Sequence, residues 1–258
     1  MQRITSTHNP AVQAAKALQG KAAREASGLF LCEGEHMVGE AAHFAPDNVQ
    51  EIFVDENQTE RYRGILNGLS GHPVYAVPEH VLAALSQVKA PQGIAATVRI
   101  PQRAAISALG GRVILLENVQ DPGNVGTILR TVDAAGFDAC ILTAGCADPF
   151  APKCLRATMG SVFRVPVAVE ENAALAAHTL AGLGYATVAT VLSGQDFYAR
   201  QPLPPKVCLI IGNEGAGITA ETAREATHRF RLPMRGGAES LNAAVAASIF
   251  MYEIVNRG

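Results

Sequence analysis

The sequence lacks several features that would assign it to a common class of protein. It has no tryptophan and no C-x-x-C pair, and no apolar run reaches the ~20 residues of a membrane-spanning helix. Residues 1–6 do not resemble a signal peptide. The cysteines are odd in number and mostly lie inside apolar runs, which favours packed thiols over disulfides or a zinc site. We therefore expect a cytoplasmic protein that binds no metal.

Charge is also nearly balanced, and the common nucleotide motifs are missing. The formal net charge is −2, so the overall charge does not indicate a nucleic-acid-binding protein. Residues 1–31 carry four basic side chains and one acidic side chain, a pattern that fits either a solvated helix face or phosphate contacts. Neither an opening G-x-G-x-x-G nor a G-x-x-x-x-G-K-[ST] occurs, which argues against a dinucleotide-dependent dehydrogenase or a P-loop enzyme.

Short apolar runs alternate with helical segments along the whole chain. The predicted strands are Leu29 to Cys32, Glu51 to Val54, Val74 to Val77, Ile94 to Val98, Val113 to Leu116, Ala139 to Thr143, Arg164 to Val169, Ala186 to Leu192, Val207 to Ile211 and Phe230 to Leu232. From Val113 onward these runs lack strict alternation, which is typical of a parallel sheet covered by helices on both faces. We predict an α/β protein with a smaller N-terminal domain (1–100), a linker (101–110) and a parallel-sheet domain (111–258).

Three stretches place a loop containing glycine directly after a predicted strand. In the first, residues 118–136, Asn124 is the predicted N-cap of a helix that carries Arg130 nearly two turns later. The second, residues 209–217, contains Glu214, and the third, residues 231–242, leads into an alanine-rich helix. Glycine has no Cβ, so such loops let a ligand approach the backbone closely. A loop with an acid suits a cationic ligand better than a pyrophosphate.

Together these stretches resemble the three motifs of the SpoU/TrmH class of RNA ribose 2′-O-methyltransferases, in the SPOUT superfamily. The matching residues are 118–136, 210–217 and 232–253, in the family's order. Residues 6–10, 21–24 and 30–34 are similar to the family's N-terminal substrate-binding domain. The resemblance implies a C-terminal domain with a deep trefoil knot, which composition and periodicity do not predict. It also implies S-adenosylmethionine (AdoMet) as cofactor, RNA as substrate and a homodimer formed through the C-terminal domain.

The resemblance further implies which residues form the site. Those at cofactor-binding positions are Thr143, Gly212, Leu232, Met234 and Leu241; those at catalytic positions are Asn124, Arg130, Glu214, Ser240 and Asn242. The basic residues assigned to RNA phosphates are Lys16, Lys21 and Arg24. Without the motifs, the leucines of the first set would be interpreted as core residues. Ser240 is also the predicted N-cap of the last helix.

Methyl transfer to a ribose hydroxyl needs an aligned acceptor oxygen and a route for its proton. Because an arginine with a pKa above ~12 is a poor proton acceptor, we expect Arg130 to stabilise the developing alkoxide and to bind the adjacent phosphate. Glu214, Ser240 or a water then accepts the proton, and Asn124 orients Arg130 or the RNA backbone. An N-terminal substrate-binding domain favours ribosomal over transfer RNA. The alternative is an RNA-binding knot protein without activity, which turnover of AdoMet would distinguish.

Overall fold

The computed structural model describes residues 1–88 and 90–257. It divides into two compact units. The first unit combines Met1–Gln102 with Phe150–Phe163, and the second combines Arg103–Pro149 with Arg164–Gly258. The segment Phe150–Phe163 departs from the predicted domain ranges, because it lies within 111–258 in sequence but packs in the first unit. No helix within the described ranges is long and apolar enough to cross a membrane.

The described residues form eleven strands and ten α-helices, numbered here in chain order. The strands are β1 (Gln2–Arg3), β2 (Leu29–Glu33), β3 (Val49–Asp55), β4 (Val74–Val77), β5 (Ile94–Arg99), β6 (Arg112–Leu116), β7 (Ala139–Thr143), β8 (Val167–Glu170), β9 (Ala186–Asp196), β10 (Val207–Ile211) and β11 (His228–Arg231). The helices are α1 (Pro10–Ala17), α2 (Lys21–Ser27), α3 (Glu35–Phe44), α4 (Arg63–Gly68), α5 (Glu79–Leu85), α6 (Pro122–Ala135), α7 (Pro152–Thr158), α8 (Ala173–Gly182), α9 (Ala220–Glu225) and α10 (Ala243–Arg257).

The first unit is built on a mixed sheet with the strand order β1-β4-β3-β5-β2. Strand β5 runs antiparallel to both of its neighbours, whereas β4 is parallel to β1 and β3. Successive side chains of β3 alternate between two buried clusters, as the pleat of a strand requires. Ile52 and Val54 pack in one cluster, and Phe53 packs in the other together with residues of α1 and α5.

The segment Phe150–Phe163 completes one of these two clusters. Leu155 and Val162 are both 2% exposed and pack in the same cluster as Phe30. The rings of Phe150 and Phe163 lie beside the Phe30 ring, with centroid distances of 5.1 and 6.0 Å. Because burial of apolar side chains is the main favourable term in folding, this segment is part of the core of the first unit.

The second unit contains a six-stranded sheet with the order β11-β9-β10-β6-β7-β8, and every pairing in it is parallel. The predicted parallel sheet is therefore confirmed. Every residue of β7 and β10 is buried, as expected for central strands covered on both faces. The predicted bounds of these two strands are confirmed, whereas β1 and α2 were not predicted and β9 extends four residues beyond its predicted end.

None of the five cysteines forms a disulfide, and four of them are buried. Burial raises the pKa of the Cys32 thiol to about 12 and that of the Cys208 thiol still further, so these side chains act as small apolar groups. Within the ranges that the structure describes, no group of three or more His, Cys, Asp or Glu side chains could hold a metal ion.

Candidate active site

The loops that carry the predicted functional residues meet at the carboxyl ends of the strands of the parallel sheet. Strands β10, β6 and β7 are neighbours and parallel, so their carboxyl ends lie together. The order of the strands also reverses beside β6, since β7 and β8 extend to one side and β10, β9 and β11 to the other. In open α/β sheets, ligands bind outside the carboxyl ends of the strands at such a switch point.

Asn118 connects the loops that follow these three strands. Its backbone N–H donates to Thr143 Oγ1 over 2.9 Å, and the Thr143 hydroxyl donates to Asn118 Oδ1 over 3.1 Å. Asn213 Nδ2, from the loop after β10, donates to the carbonyl of Asn118 over 2.9 Å. Asn118 has a φ of 56°, a conformation that asparagine tolerates better than most residues. The buried Thr143 side chain is thus used within the protein, and a ligand would contact its backbone.

Glu214 connects the loop after β10 to the beginning of α6. Its Oε1 accepts hydrogen bonds from Asp121 N (3.1 Å) and Asn124 Nδ2 (2.9 Å), and its Oε2 accepts one from Gln120 N (3.2 Å). Asn124 Oδ1 in turn accepts from Asn242 Nδ2 over 2.9 Å. This chain of side chains, Glu214–Asn124–Asn242, joins one residue from each of the three motif stretches.

The environment of Glu214 determines its protonation state. Partial burial favours a higher pKa, but the hydrogen bonds from Asn124 and from the backbone amides of Glu214, Asp121 and Gln120 outweigh it and lower the pKa below its ordinary value. The carboxylate is therefore ionised at neutral pH, and both its oxygens already accept hydrogen bonds. Glu214 is therefore a weaker base than an ordinary glutamate, and its accepting oxygens are already occupied.

Two predicted helix caps are wrong. The N-cap of α6 is Asp121, whose Oδ1 accepts from Asn124 N over 3.0 Å, because Pro122 fits the first helical position. Asn124 lies within the first turn, so its side chain can reach Glu214 and Asn242. At α10, Asn242 Oδ1 accepts from the backbone amides of the second and third helical residues. Ser240 lies outside this helix and is exposed.

Arg130 lies on α6 with an exposed side chain. Among the described residues it forms no hydrogen bond or ion pair, and the side chain of Asn124 is instead bonded to Glu214 and Asn242. Of the two roles predicted for Asn124, orientation of Arg130 is wrong for this structure, and orientation of the RNA backbone stays a prediction. The guanidinium group remains available to a group from outside the chain.

The remaining predicted cofactor positions lie in two loops. The loop of residues 212–218 is closed by two backbone hydrogen bonds between Asn213 and Gly217, of 3.0 and 2.9 Å. Gly212 is required there, since a Cβ at this position would overlap the backbone of Gly217 and Ile218. The other loop contains Leu232, Met234 and Leu241, which are all at least partly exposed and so are not core residues. No backbone–backbone hydrogen bond involves residues 234–241 within the described part of the chain.

The three predicted RNA-contacting residues differ in their exposure. Lys16 and Lys21 are exposed, and Lys21 Nζ lies 3.7 Å from Glu25 Oε1. Arg24 is only 3% exposed, and its Nη1 donates to the carbonyls of Leu18 (2.8 Å) and Gln19 (3.0 Å). The prediction that Arg24 contacts phosphate is therefore wrong, because its guanidinium stabilises the turn between α1 and α2.

The sequence analysis missed three polar residues that hold these loops together. Glu117 is buried beside the beginning of α9, Asp121 caps α6, and Asn213 closes the loop after β10. Glu117, Asn213 and Asp121 lie one, two and five residues after the last residue of a buried strand. That position, at the carboxyl end of a strand in a parallel sheet, was the available signal.

The fold and the site define a class of protein: a ligand-binding parallel α/β domain without a phosphate-binding motif, joined to a mixed-sheet domain. Comparison with family models matches the SpoU rRNA Methylase family over residues 111–252 and the MRM3-like substrate binding domain over residues 9–96. The chain therefore belongs to the SpoU rRNA methylase family.

Individual relatives are similar along nearly the whole chain. The 23S rRNA (guanosine(2553)-2′-O)-methyltransferase RlmP of Bacillus subtilis is 38% identical over 254 residues, which cover 98% of this chain and 99% of the relative. The AdoMet-bound rRNA methyltransferase from Sinorhizobium meliloti is 32% identical, with a TM-score of 0.84 over 99% of this chain and 97% of that structure. AviRb from Streptomyces viridochromogenes, in complex with AdoMet, is 26% identical, with a TM-score of 0.85 over 96% and 98%.

Proposed function

We propose that this protein transfers a methyl group from AdoMet to a ribose 2′-hydroxyl of ribosomal RNA in the cytoplasm. The observation that carries the proposal is the Glu214–Asn124–Asn242 chain, which joins three motif stretches at the carboxyl edge of a parallel sheet. Membership of the SpoU family and the similarity to a 23S rRNA enzyme support the reaction and the choice of ribosomal RNA.

The chemistry of the two loops fits AdoMet. Residues 234–241 offer unpaired backbone groups for an adenosine, and the partly exposed Leu232 and Met234 offer apolar contacts. A Cβ at Gly236 or Gly237 would meet nothing within 4 Å, so space is open beside this backbone. The ionised Glu214 adds negative charge to the same group of loops, which suits a cation. When bound, AdoMet supplies a methyl group attached to a cationic sulfonium.

Arg130 stabilises the alkoxide that develops on the ribose oxygen and binds the adjacent phosphate. Its exposed guanidinium, without a partner in the described chain, supports this role. Removal of one donor that stabilises a developing oxyanion costs about 10²–10³ in kcat. The ribose proton passes to solvent water, either directly or through the exposed Ser240 hydroxyl, which accepts that proton as it gives its own to water. Glu214 is a weaker base than an ordinary glutamate, and its oxygens already accept hydrogen bonds.

Lys16 and Lys21 of the first unit contact RNA phosphates, which gives salt-sensitive affinity without sequence preference. Their exposure and the match of residues 9–96 to a substrate-binding domain support this assignment. Arg24 is not part of the RNA-binding set, since it is buried.

The deep trefoil knot and the homodimer belong to the same proposal. Strand β11 is an outermost strand of the sheet. Beyond it the chain returns to α6, where Ser248 Oγ of α10 lies 3.1 Å from Thr131 Oγ1. Membership of the SpoU family, together with this return of the C-terminal helix to α6, supports a knotted C-terminal segment. Val245 and Tyr252, seven residues apart on α10, are 48% and 47% exposed, and an exposed apolar helix face supports a dimer interface.

The test is transfer of tritium from labelled AdoMet to RNA from a strain that lacks this gene, followed by mapping of the modified ribose. We expect one 2′-O-methyl site in ribosomal RNA. Arg130→Ala should lower kcat/KM by about 10²–10³, Arg130→Lys should retain partial activity, and the exposed control Arg224→Ala should match the wild type. Equal and complete loss in both Arg130 variants contradicts the electrostatic role. Absence of transfer to any RNA contradicts the proposed function.

A further inference from the structure

Glu117, which directly follows β6, is a buried carboxylate held only by neutral groups. It is 5% exposed. Its Oε1 accepts from the hydroxyls of Thr219 (2.7 Å) and Thr222 (3.0 Å), and its Oε2 accepts from Thr219 N (3.1 Å). Among the described residues it has no cationic partner. A buried charge is unfavourable unless hydrogen bonds satisfy it, so these three bonds determine where the carboxylate and its donors lie.

Glu117 thereby holds both ends of the loop of residues 212–218. At the start of the loop, its backbone N–H donates to the carbonyl of Ile211 over 2.8 Å and extends the pairing of β6 with β10. At the end of the loop, its carboxylate binds the backbone and the side chain of Thr219, the N-cap of α9. The loop is therefore fixed at both ends by one residue.

Glu214 connects the same two loops, but its carboxylate comes from the loop after β10 and binds residues that follow β6. It lies within the loop after β10 and accepts hydrogen bonds from Gln120, Asp121 and Asn124, which follow β6. Glu117 follows β6 and binds the residues that end the loop after β10. These two reciprocal carboxylate contacts fix the two loops relative to each other. Loss of either contact leaves the backbone of residues 212–218 with fewer constraints.

We propose that Glu117 is a positioning residue for AdoMet: it sets the backbone of residues 212–218 in the conformation that binds the cofactor. This inference rests on the proposed function, because it assigns the loop to AdoMet. Glu117 is not a catalytic residue, since its carboxylate is buried beneath the loop against Thr219 and Thr222. Its loss should therefore weaken cofactor binding more than it slows the reaction at saturating AdoMet.

The substitution Glu117→Gln keeps the size of the side chain but replaces one acceptor oxygen with an amide donor. The matched control is Glu221→Gln, which removes an exposed carboxylate from α9. A second pair changes the partner: Thr219→Ala removes the hydroxyl that Glu117 binds, and Thr219→Ser keeps it. The full-length variants are compared by calorimetric titration with AdoMet, at a temperature where circular dichroism shows them folded.

We expect Glu117→Gln to raise the Kd and KM for AdoMet about tenfold or more, with kcat within about threefold of the wild type. Thr219→Ala should behave like Glu117→Gln, whereas Thr219→Ser and Glu221→Gln should bind like the wild type. A lower melting temperature with an unchanged Kd overturns the inference and leaves Glu117 a purely structural role. If Glu117→Gln does not fold, the Thr219 pair decides by the same comparison. A wild-type protein that does not bind AdoMet refutes the proposed function itself.

Discussion

The packing of Leu155 predicts where the protein loses stability when this side chain is shortened. Leu155 is 2% exposed and packs in the core of the first unit. In the sequence it lies within Phe150–Phe163, 53 residues after the end of that unit's main segment, Met1–Gln102. Leu155→Ala removes buried apolar atoms and leaves a cavity. In similar cores this substitution lowers the free energy of unfolding by about 2–5 kcal/mol. Folded domains are stable by only about 5–15 kcal/mol, so this is a large fraction. Leu175→Ala, at a site 64% exposed, is the control and should change stability by less than about 0.5 kcal/mol.

Hydrogen exchange of backbone amides measures the effect in each unit separately. In Leu155→Ala, the opening free energies of β2 and β5 in the first unit should fall by about 2–5 kcal/mol. Those of β6 and β10 in the second unit should fall much less, because Leu155 does not belong to that core. If the loss were confined to β6 and β10 while β2 and β5 kept their protection, the segment would not be part of the first unit's core and the reasoning would be refuted.

Two further predictions concern the second unit. The lowered pKa of Glu214 means that its ionised form stabilises the fold above the ordinary glutamate pKa of 4.5 and that this contribution is lost as the pH falls through the folded pKa. Urea titrations across the acid range should therefore show the wild type more stable than Glu214→Gln near neutrality and equal to it in acid; a gap independent of pH would contradict this. Val245→Glu, on the exposed face of α10, should yield monomers in multi-angle light scattering, and an unchanged dimer would locate the interface elsewhere.

The sequence predicted the strands better than the ends of the helices. The apolar runs that form β7 and β10 are five residues long, which is short for a helix, and each follows a charged residue, Asp138 or Lys206, so the beginning of each strand is clear. At α6, Asp121 and Asn124 are both good caps, and the decision between them depended on Pro122 at the first helical position. The burial of Arg24 depends on two carbonyls at the end of α1, which no local pattern indicates.

The motif stretches predicted the identity of the site residues. They did not predict which of these residues form hydrogen bonds with each other. The hydrogen bond between Asn124 and Asn242 joins residues 118 positions apart, and that between Asn124 and Glu214 spans 90 positions. Periodicity and caps describe neighbours within a few residues, so they do not report such pairs. For the same reason Glu117 was missed, since its partners Thr219 and Thr222 lie more than 100 positions away.

The long separation between Asn124 and Asn242 has a consequence for biosynthesis. A ribosome adds about 5–20 residues per second, so the 118 positions between them require roughly 6 to 24 s of translation. During that interval β6 is already made and α6 is completed early, but the Asn242 side chain that Asn124 binds does not yet exist. The network therefore closes only after residue 242 has been added. A nascent chain can fold its first strands early, whereas its site cannot form until the third motif stretch has been translated.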